Sequence, residues 1–575
     1  MKAFKPSIVN IAGICAQKQV RNFVISSGSR SAPLTLAFLR HPQIQCLPVV
    51  DERSAAFTAL GMAQQTQKPV GLVCTSGTAG LNYAPAVAEA FYQQIPLLIF
   101  TADRPPEWID QNDGQTLHQR ELFGKHCRAS FELPVDPSHP DARWQVERTI
   151  SEAINSTTWP VPGPVHINVP LREPLYPTSD FGYSQDYKLV GVTQSQAVLD
   201  EPTWQVLLQI WTRSPKKLIV AGLQPPDPVL AQSLQKLQQD PTAAIIFDVT
   251  ANLQDALFIQ HSDIILGTGD ESGLQQLAPD LLITLGGPVV SKNLKSFLRK
   301  YRPKVHWQIQ TSVQSIDTFQ SLTQIVPVSA SYFFETPTRL LARENSAGRG
   351  GTRDSKDSYQ TFWHRRELKA RKALEVFLKE MPHCEFSAMA CVLQALPRNS
   401  HLQLGNSFIV RMANFLGLPP AGKIKVNSNR GTCGIDGTVS TAVGAARATS
   451  RVTTLLVGDL AFFYDRNALW QGELPANLRI VVINNQGGGI FRILDGAGEL
   501  PELERYFAME HRLTAENTAR DHGLNYTRCE DAGSLEKSLP QFFAPQEKPA
   551  LLEIHTDKRV NEETFRKFKS LMREM

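Results

Sequence analysis

The sequence lacks the features of a membrane-inserted or secreted protein. No stretch of about 18 consecutive apolar residues occurs, and the N-terminus, Met1-Lys2-Ala3-Phe4, has no apolar signal-peptide region. The formal net charge of +4 over 575 residues is too small to indicate a basic nucleic-acid-binding surface. We therefore expect a soluble, cytoplasmic protein with no nucleic-acid partner and no membrane insertion.

Two further absences exclude common site types. The eight cysteines are scattered and form no C-x-x-C pair, which argues against structural zinc and redox motifs and predicts reduced, mostly buried thiols. No G-x-G-x-x-G with a later ribose-binding acid opens a strand–helix unit, which excludes an NAD-dependent dehydrogenase.

The order of apolar runs predicts an α/β fold with three doubly wound parallel-sheet domains. Short apolar runs alternate with helical patterns in the first third, and the last third repeats this order, so we expect these two domains to be related. The predicted domains are residues 1–185, 190–343 and 360–575. The stretch 344–359 is rich in Gly, Ser and charge and is expected to be an exposed linker.

Two polar clusters follow apolar strands in the last third, namely Gly458-Asp459 and Asn484-Asn485-Gln486-Gly487. The intervening chain is long enough for one crossover helix, so both clusters should lie at the carboxyl ends of neighbouring strands. Mg²⁺ prefers oxygen ligands, which the Asp459 carboxylate, the Asn485 amide and the Gly487 carbonyl offer. Either dipeptide alone would indicate only an ordinary turn. Together they resemble the thiamine diphosphate motif, although Leu460 replaces its usual second glycine.

This resemblance implies an activating acid in the first domain. In the thiamine diphosphate superfamily a glutamate hydrogen-bonds the cofactor's pyrimidine ring, and it stands at the end of a first-domain strand. Val49-Val50-Asp51 reads as such a strand, which makes Glu52 the candidate and Asp51 a structural neighbour. Taken alone, Glu52 would more simply be a solvated acid in the first turn of a helix.

Several segments resemble one branch of this superfamily, the 2-succinyl-5-enolpyruvyl-6-hydroxy-3-cyclohexene-1-carboxylate synthases of menaquinone or phylloquinone biosynthesis. The resemblance covers both outer domains, and a leucine after Gly-Asp is common in this branch. The segments are 28–35 (GSRSAPLT), 51–53 (DER), 75–79 (TSGTA), 101–107 (TADRPPE), 405–407 (GNS), 429–431 (NRG), 434–437 (GIDG) and 458–460 (GDL).

The resemblance implies the remaining site residues. Arginines suit the carboxylates of the two expected substrates, 2-oxoglutarate and isochorismate, because guanidinium groups bind carboxylates bidentately. Asn293 and Gly114 depart from the pattern, since they replace a basic and an amide residue. The implied substrate-binding residues are Ser29, Arg30, Arg104, Gln115, Lys292, Ser407, Arg411, Arg430, Phe491 and Leu494. The implied cofactor-binding residues are Glu52, Ile435, Gly458, Asp459, Leu460, Asn485, Gly487, Ile490 and Phe491, with Glu52 and Gln115 as catalytic residues and Asp459, Asn485 and Gly487 as metal ligands.

The expected reaction is decarboxylation of 2-oxoglutarate followed by conjugate addition of the succinyl semialdehyde unit to isochorismate. The family further implies thiamine diphosphate with Mg²⁺, or Mn²⁺ in its place, and a homo-oligomer whose active sites are shared between chains. Two alternatives stay open at this point. One is another thiamine diphosphate-dependent 2-oxoacid decarboxylase or acetolactate synthase-like enzyme, and the other is a non-catalytic protein that only binds the cofactor.

Overall fold

The computed structural model describes residues 6–176, 181–184, 186–254, 257–346, 358–419, 422–494 and 496–575. These residues form three parallel sheets, which confirms the predicted fold class. Most of the predicted linker and part of the stretch before residue 188 lie outside the described residues, so the exact domain boundaries stay predictions. No helix in the described part of the chain is long and apolar enough to span a bilayer.

The first sheet is built by elements that alternate as expected. They are α1 (Pro6–Gln17), β1 (Asn22–Ile25), α2 (Ala32–Leu39), β2 (Gln45–Pro48), α3 (Glu52–Thr66), β3 (Val70–Cys74), α4 (Thr78–Asn82), α5 (Ala84–Gln93), β4 (Leu97–Asp103), β5 (Ala129–Glu132), α6 (Pro140–Thr158) and β6 (Pro164–Pro170). The strand order is β2-β1-β3-β4-β6-β5. Strands β3, β4 and β6 are buried throughout because helices cover both faces of the sheet.

The middle sheet is smaller. Its elements are α7 (Glu201–Arg213), β7 (Lys217–Ala221), α8 (Pro228–Leu237), β8 (Ala243–Phe247), α9 (Ser262–Leu266), α10 (Glu271–Leu277), β9 (Leu281–Leu285), α11 (Lys292–Lys300), β10 (Val305–Ile309), β11 (Gln324–Val326) and α12 (Ala330–Ser346). The strand order is β11-β10-β9-β7-β8.

The last sheet repeats the topology of the first. Its elements are α13 (Tyr359–Glu380), α14 (Glu385–Ala395), β12 (His401–Leu404), α15 (Phe408–Leu416), β13 (Lys425–Ser428), α16 (Thr438–Arg447), β14 (Thr453–Gly458), α17 (Asp459–Tyr464), β15 (Leu478–Asn484), α18 (Gly489–Ile493), α19 (Glu516–Asp521), β16 (Asn525–Cys529), α20 (Ala532–Phe543), β17 (Ala550–His555) and α21 (Lys558–Glu574). The order β13-β12-β14-β15-β17-β16 matches that of the first sheet strand for strand, which confirms that the outer domains are related.

One local prediction was wrong, the strand over Val49-Val50-Asp51. Strand β2 ends at Pro48, so Val49 and Val50 belong to a loop and Val50 is 52% exposed. The strand stops there because Asp51 caps α3, its side chain accepting a hydrogen bond from the Ser54 N–H at 3.1 Å.

The outer domains contact each other through equivalent helices, α3 and α16. Both helices carry the pattern Thr-Ala-(Leu/Val)-Gly, at residues 58–61 and 441–444. A Cβ atom on Gly61 would lie 2.0 Å from the Thr441 carbonyl oxygen, and one on Gly444 would lie 2.0 Å from the Thr58 carbonyl oxygen. The two glycines thus let the backbones touch, and the contact is nearly symmetric between the two domains.

We predict that Gly61→Ala destabilises the protein by about 2–3 kcal/mol, because overpacking a tight contact forces backbone shifts. The substitution would otherwise favour an ordinary helix. Gly472→Ala is the matched control, since no atom lies within 4 Å of an added Cβ there. Chemical unfolding of both variants measures the effect, and equal stability would contradict the helix contact.

Candidate active site

The predicted metal-binding residues meet at the carboxyl ends of β14 and β15, which pair in parallel as expected. Asp459 is 2% exposed. Its Oδ2 accepts hydrogen bonds from the backbone N–H groups of Asn485 at 3.1 Å and Gly487 at 3.0 Å, and its Oδ1 accepts one from the Leu460 N–H at 2.6 Å. One buried carboxylate therefore fixes the turn that follows the neighbouring strand.

Asn485 presents an unused oxygen in this turn. Its Nδ2 donates a hydrogen bond to the Glu385 carboxylate, whereas its Oδ1 is buried and has no hydrogen-bond partner among the described residues. A buried acceptor without a partner is costly, and an ion placed beside it would satisfy it. The oxygen-rich set of Asp459, Asn485 and the Gly487 carbonyl fits a magnesium ion, so the turn is compatible with the predicted cofactor complex.

Glu385 is a part of this site that sequence reasoning missed. It is 4% exposed, and burial raises its pKa to about 7, with the nearby Asp459 charge raising it further and the Asn485 hydrogen bond lowering it. Glu385 precedes Asn485 by a long stretch of chain and stands at the start of α14, so no local pattern links the two residues.

Gly487 cannot carry a side chain in this conformation. Its φ is 148°, and an added Cβ would lie 2.6 Å from the Ala508 carbonyl oxygen. The segment after the turn also supplies His511, whose Nε2 lies 3.4 Å from Asp459 Oδ2. Described residues contain no cluster of three or more His, Cys, Asp or Glu side chains placed to hold a metal. The predicted ligand set has only one such side chain and would not form such a cluster.

Glu52 begins α3 and is half-buried. Burial raises the pKa of its carboxyl group, the Asp51 charge adds to this rise, and a hydrogen bond with its own backbone opposes it. Its charge in turn raises the pKa values of Cys74 and Tyr83, which places these groups close by. The surroundings of Glu52 therefore make its ionisation less favourable than in water, and within the described residues no hydrogen bond or ion pair joins it to the Asp459 turn.

Arg411 and Arg430 form a pair of cations in the last domain. Arg430 is 7% exposed, donates to Asn406 Oδ1 at 3.2 Å, and has a buried Nε without a partner in the described chain. Burial lowers the pKa of Arg411, and the charge of Arg430 lowers it further. Neither guanidinium forms a salt bridge with a described residue, although Arg411 donates to the Ser407 carbonyl. This arrangement favours binding of an anion.

The predicted Lys292 and a second lysine, Lys295, both lie in α11 of the middle domain. Lys292 is exposed at the start of α11, and Asn293 is tied to Asp263 through its amide at 2.9 Å. Lys295, one turn later, is half-buried; burial lowers its pKa, and so does the charge of Arg430. Lys295 is therefore a second basic residue near the arginine pair, and a substrate-binding role for Lys292 stays a prediction.

The first-domain candidates form their own cluster. Arg30 is 5% exposed, donates to the Leu171 carbonyl at 2.8 Å and lies 3.7 Å from Glu173. Burial lowers the pKa of Arg30, and the charge of Arg104 lowers it further. Arg104 binds the Gly114 carbonyl at 2.8 Å and Asp113 at 3.2 Å, so it braces its loop. Ser29 and Gln115 are exposed.

The apolar candidates line the same end of the last sheet. Ile435 is 38% and Leu494 is 42% exposed. Ile490 and Phe491 are half-buried in α18, and the Phe491 ring lies 6.0 Å from that of Phe507. These apolar side chains are not buried in the hydrophobic core, so a ligand or a partner chain can contact them.

Comparison with known proteins supports the cofactor class. Residues 10–122 match the family described as the thiamine pyrophosphate enzyme, N-terminal TPP binding domain. The chain is 41% identical to the 2-succinyl-5-enolpyruvyl-6-hydroxy-3-cyclohexene-1-carboxylate synthase of Cytophaga hutchinsonii over 99% of both chains. It is 39% identical to the synthase of the same name from Flavobacterium johnsoniae over 95% of both chains, and 37% identical to that of Christiangramia forsetii over 99% of both.

The parallel-sheet domains, the Asp459 turn and the matching first domain define a thiamine diphosphate-dependent enzyme. Within this class, the chain belongs to the 2-succinyl-5-enolpyruvyl-6-hydroxy-3-cyclohexene-1-carboxylate synthase family. The family membership favours this synthase over the other thiamine diphosphate-dependent decarboxylases considered from the sequence.

We predict that Glu52→Gln changes how stability depends on pH in cofactor-free protein. The folded-state pKa of Glu52 lies above its ordinary value of 4.5. The contribution of this carboxyl to the free energy of unfolding is therefore fully present below about pH 4.5. This contribution is lost as pH rises through the folded pKa, and the glutamine variant has no such loss. Urea unfolding from pH 4 to 8 should therefore show the variant gaining relative stability with pH; a constant difference would contradict the shift.

Proposed function

We propose that this protein decarboxylates 2-oxoglutarate and adds the resulting succinyl semialdehyde unit to isochorismate, using thiamine diphosphate and Mg²⁺. The product would be 2-succinyl-5-enolpyruvyl-6-hydroxy-3-cyclohexene-1-carboxylate, an intermediate on the way to menaquinone or phylloquinone. The single observation that carries the cofactor part is the buried, unpaired Asn485 Oδ1 beside the Asp459 carboxylate.

In this proposal Asp459, Asn485 and Gly487 hold the metal, and Mn²⁺ could replace Mg²⁺ because both accept oxygen ligands. Gly458 and Leu460, which flank Asp459, would lie beside the diphosphate. Ile435, Ile490 and Phe491 provide apolar contacts. Thiamine diphosphate supplies a nucleophilic carbon when it is bound, and the chain's own residues bind the substrates and manage protons.

Glu52 would serve as the acid that hydrogen-bonds the cofactor's pyrimidine ring. Its half-buried position and raised pKa support this role, because a carboxyl that is readily protonated can donate to a ring nitrogen. Gln115 would be a hydrogen-bonding neighbour of the reacting groups. His118 is 78% exposed in its side chain and lies 3.1 Å from Asp110, so the proposal assigns it no proton-transfer step.

The carboxylates of both substrates would bind to the arginines. Arg411 and Arg430 are the strongest candidates because neither is paired with a described carboxylate, and two close cations are stabilised by an anion between them. Arg30, Arg104, Ser29, Ser407, Lys292, Phe491 and Leu494 complete the proposed substrate site.

We further propose a homo-oligomer in which Glu52 of one chain serves the Asp459 turn of another, within the cytoplasm. Two observations support sharing. Glu52 has no described contact with the metal-binding turn of its own chain. Large apolar side chains of the segment after this turn also stay exposed, among them Tyr506 at 64% and Met509 at 55%, and exposed apolar groups of this kind mark interfaces.

The decisive experiment incubates purified protein with Mg²⁺, thiamine diphosphate and both substrates. Isochorismate should disappear only when 2-oxoglutarate is present, with the product identified by mass. Pyruvate in place of 2-oxoglutarate should give no carbon dioxide. Carbon dioxide release from pyruvate, or no isochorismate consumption, would reject the proposed reaction.

We predict that Glu52→Ala keeps the fold and cofactor binding but loses turnover by about 100-fold or more, the usual effect of removing an acid–base group. Circular dichroism and calorimetric titration of thiamine diphosphate check the fold and the binding. Glu121→Ala, an exposed acid of the same domain, is the control. Turnover near the wild-type value in Glu52→Ala would remove this residue from the mechanism.

We predict that Glu385→Leu weakens Mg²⁺ binding by about 10-fold to 100-fold, the usual cost of losing a residue that orients a metal ligand. The reason is that the Asn485 amide, once freed from the Glu385 carboxylate, no longer directs its oxygen to the ion. Glu385→Gln keeps an acceptor and should lose less. Calorimetric titration of Mg²⁺ with saturating thiamine diphosphate measures both, and equal affinity in all three proteins would contradict this role.

A further inference from the structure

Glu89 is a buried carboxylate of the first domain that binds a loop of the last domain. It lies in α5 and is 1% exposed. Its Oε1 accepts a hydrogen bond from the Gly431 N–H at 2.7 Å, and its Oε2 accepts two from Thr432, one from the N–H and one from the hydroxyl, both at 2.6 Å. Three donors of one short turn thus converge on one carboxylate.

The turn held in this way carries two of the proposed site residues. Arg430 directly precedes Gly431, and Ile435 follows within the same loop. On its own domain's side the loop is bound by Asn406, whose Nδ2 donates to the carbonyls of Asn429 and Gly434, both at 2.6 Å. Asn406 also accepts the hydrogen bond from Arg430. Asn406 therefore holds the loop from the last domain, and Glu89 holds it from the first domain.

The packing explains why residue 431 is a glycine. An added Cβ would lie 2.7 Å from the Glu89 backbone carbonyl and 3.1 Å from its carboxylate Oε1. A neighbouring side chain strengthens the same contact, since Gln93 donates both to the Glu89 carboxylate and, at 3.1 Å, to the Ser428 carbonyl of the last domain. Two residues of helix α5, Glu89 and Gln93, thus contact the chain of the last domain at Ser428 and Gly431.

A carboxylate suits this position because it accepts hydrogen bonds and donates none. No salt bridge to Glu89 occurs in the described chain, so its charge is balanced by N–H and O–H donors alone. Hydrogen bonds to an ionised acceptor are shorter and stronger than neutral ones. A glutamine would turn an NH₂ group towards donors that already need an acceptor.

We infer that Glu89 is a positioning residue, which holds the turn at Gly431 and Thr432 and thereby sets where Arg430 and Ile435 stand. The first domain then has a second task besides presenting Glu52, because it fixes the substrate-binding loop of the last domain in the same chain. The substrate part of this inference rests on the proposed function of Arg430.

The test compares Glu89→Gln with Glu147→Gln in the full-length enzyme. Glu147 is a matched control because it is also a buried first-domain carboxylate, 7% exposed, that accepts hydrogen bonds from Asn10 and from the Lys188 N–H at 2.9 Å each, away from the loop. Hydrogen exchange followed by mass spectrometry reports on the peptide 428–437. Steady-state kinetics report KM for each substrate and kcat separately.

In Glu89→Gln we expect faster exchange in the peptide 428–437 and a KM about tenfold higher for at least one carboxylate substrate, with kcat changed about threefold or less, since a small misplacement of a binding group costs this much. Glu147→Gln should change neither quantity. Thr432→Val, which removes only the hydroxyl donor of an exposed side chain, should show the same pattern more weakly and serves if Glu89→Gln does not fold.

Exchange in 428–437 that equals the wild-type rate in these variants would overturn the inference, whatever the activity. Faster exchange with unchanged KM values would overturn the positioning role as well. Because exchange needs no substrate, these failures are distinct from failure of the proposed reaction, which is a property of the wild-type enzyme.

Discussion

The contact between α3 and α16 is the constraint on which the arrangement of the two outer domains depends. Two glycines at equivalent positions bring the helix backbones together, and the hydrogen bonds around them link the same two domains. Gln403 donates to Gln64 at 2.9 Å and Asn467 donates to Asp51 at 3.0 Å. The loop that Glu89 holds belongs to this interface too. Relative movement of the domains would therefore disturb the substrate loop and the Glu52 helix together.

Among the described residues, buried polar atoms without hydrogen-bond partners occur in the proposed site and also elsewhere in the interior, for example at Trp307 and Ser400. Most buried polar groups in the interior are paired, as the Glu553 carboxylate is with Asn484, Ala515 and Tyr526. The Asn485 Oδ1 and the Arg430 Nε have no partner in the described chain, and each belongs to a group predicted to touch a ligand. Such atoms cost stability in the empty protein, and a bound ion or carboxylate offsets this cost.

The sequence was sufficient for the fold class and for the neighbouring positions of Asp459 and Asn485, because strand-ending polar residues in a parallel sheet meet at one edge. It was insufficient where the deciding contact is remote in the chain. Glu385 and Glu89 stand in helices with no motif of their own, and only tertiary packing brings them to the turns they bind. Lys295, whose pKa the charge of Arg430 lowers, also lies in a helix without a recognisable motif, since the resemblance was weakest in the middle domain.

The duplicated outer domains keep one packing device and differ in their chemistry. Both present a Thr-Ala-(Leu/Val)-Gly helix to the other, and both use the same strand order. The corresponding helix begins with Glu52 in the first domain, whereas in the last domain it follows the loop of Arg430 and Ile435. The two domains thus share the contact that needs backbone proximity, whereas their helix starts differ, with Asp51 capping α3 beside Glu52 and Gly437 preceding α16 after the substrate loop. Glu89 links the two domains, because this acid of the first domain holds the substrate loop of the last domain.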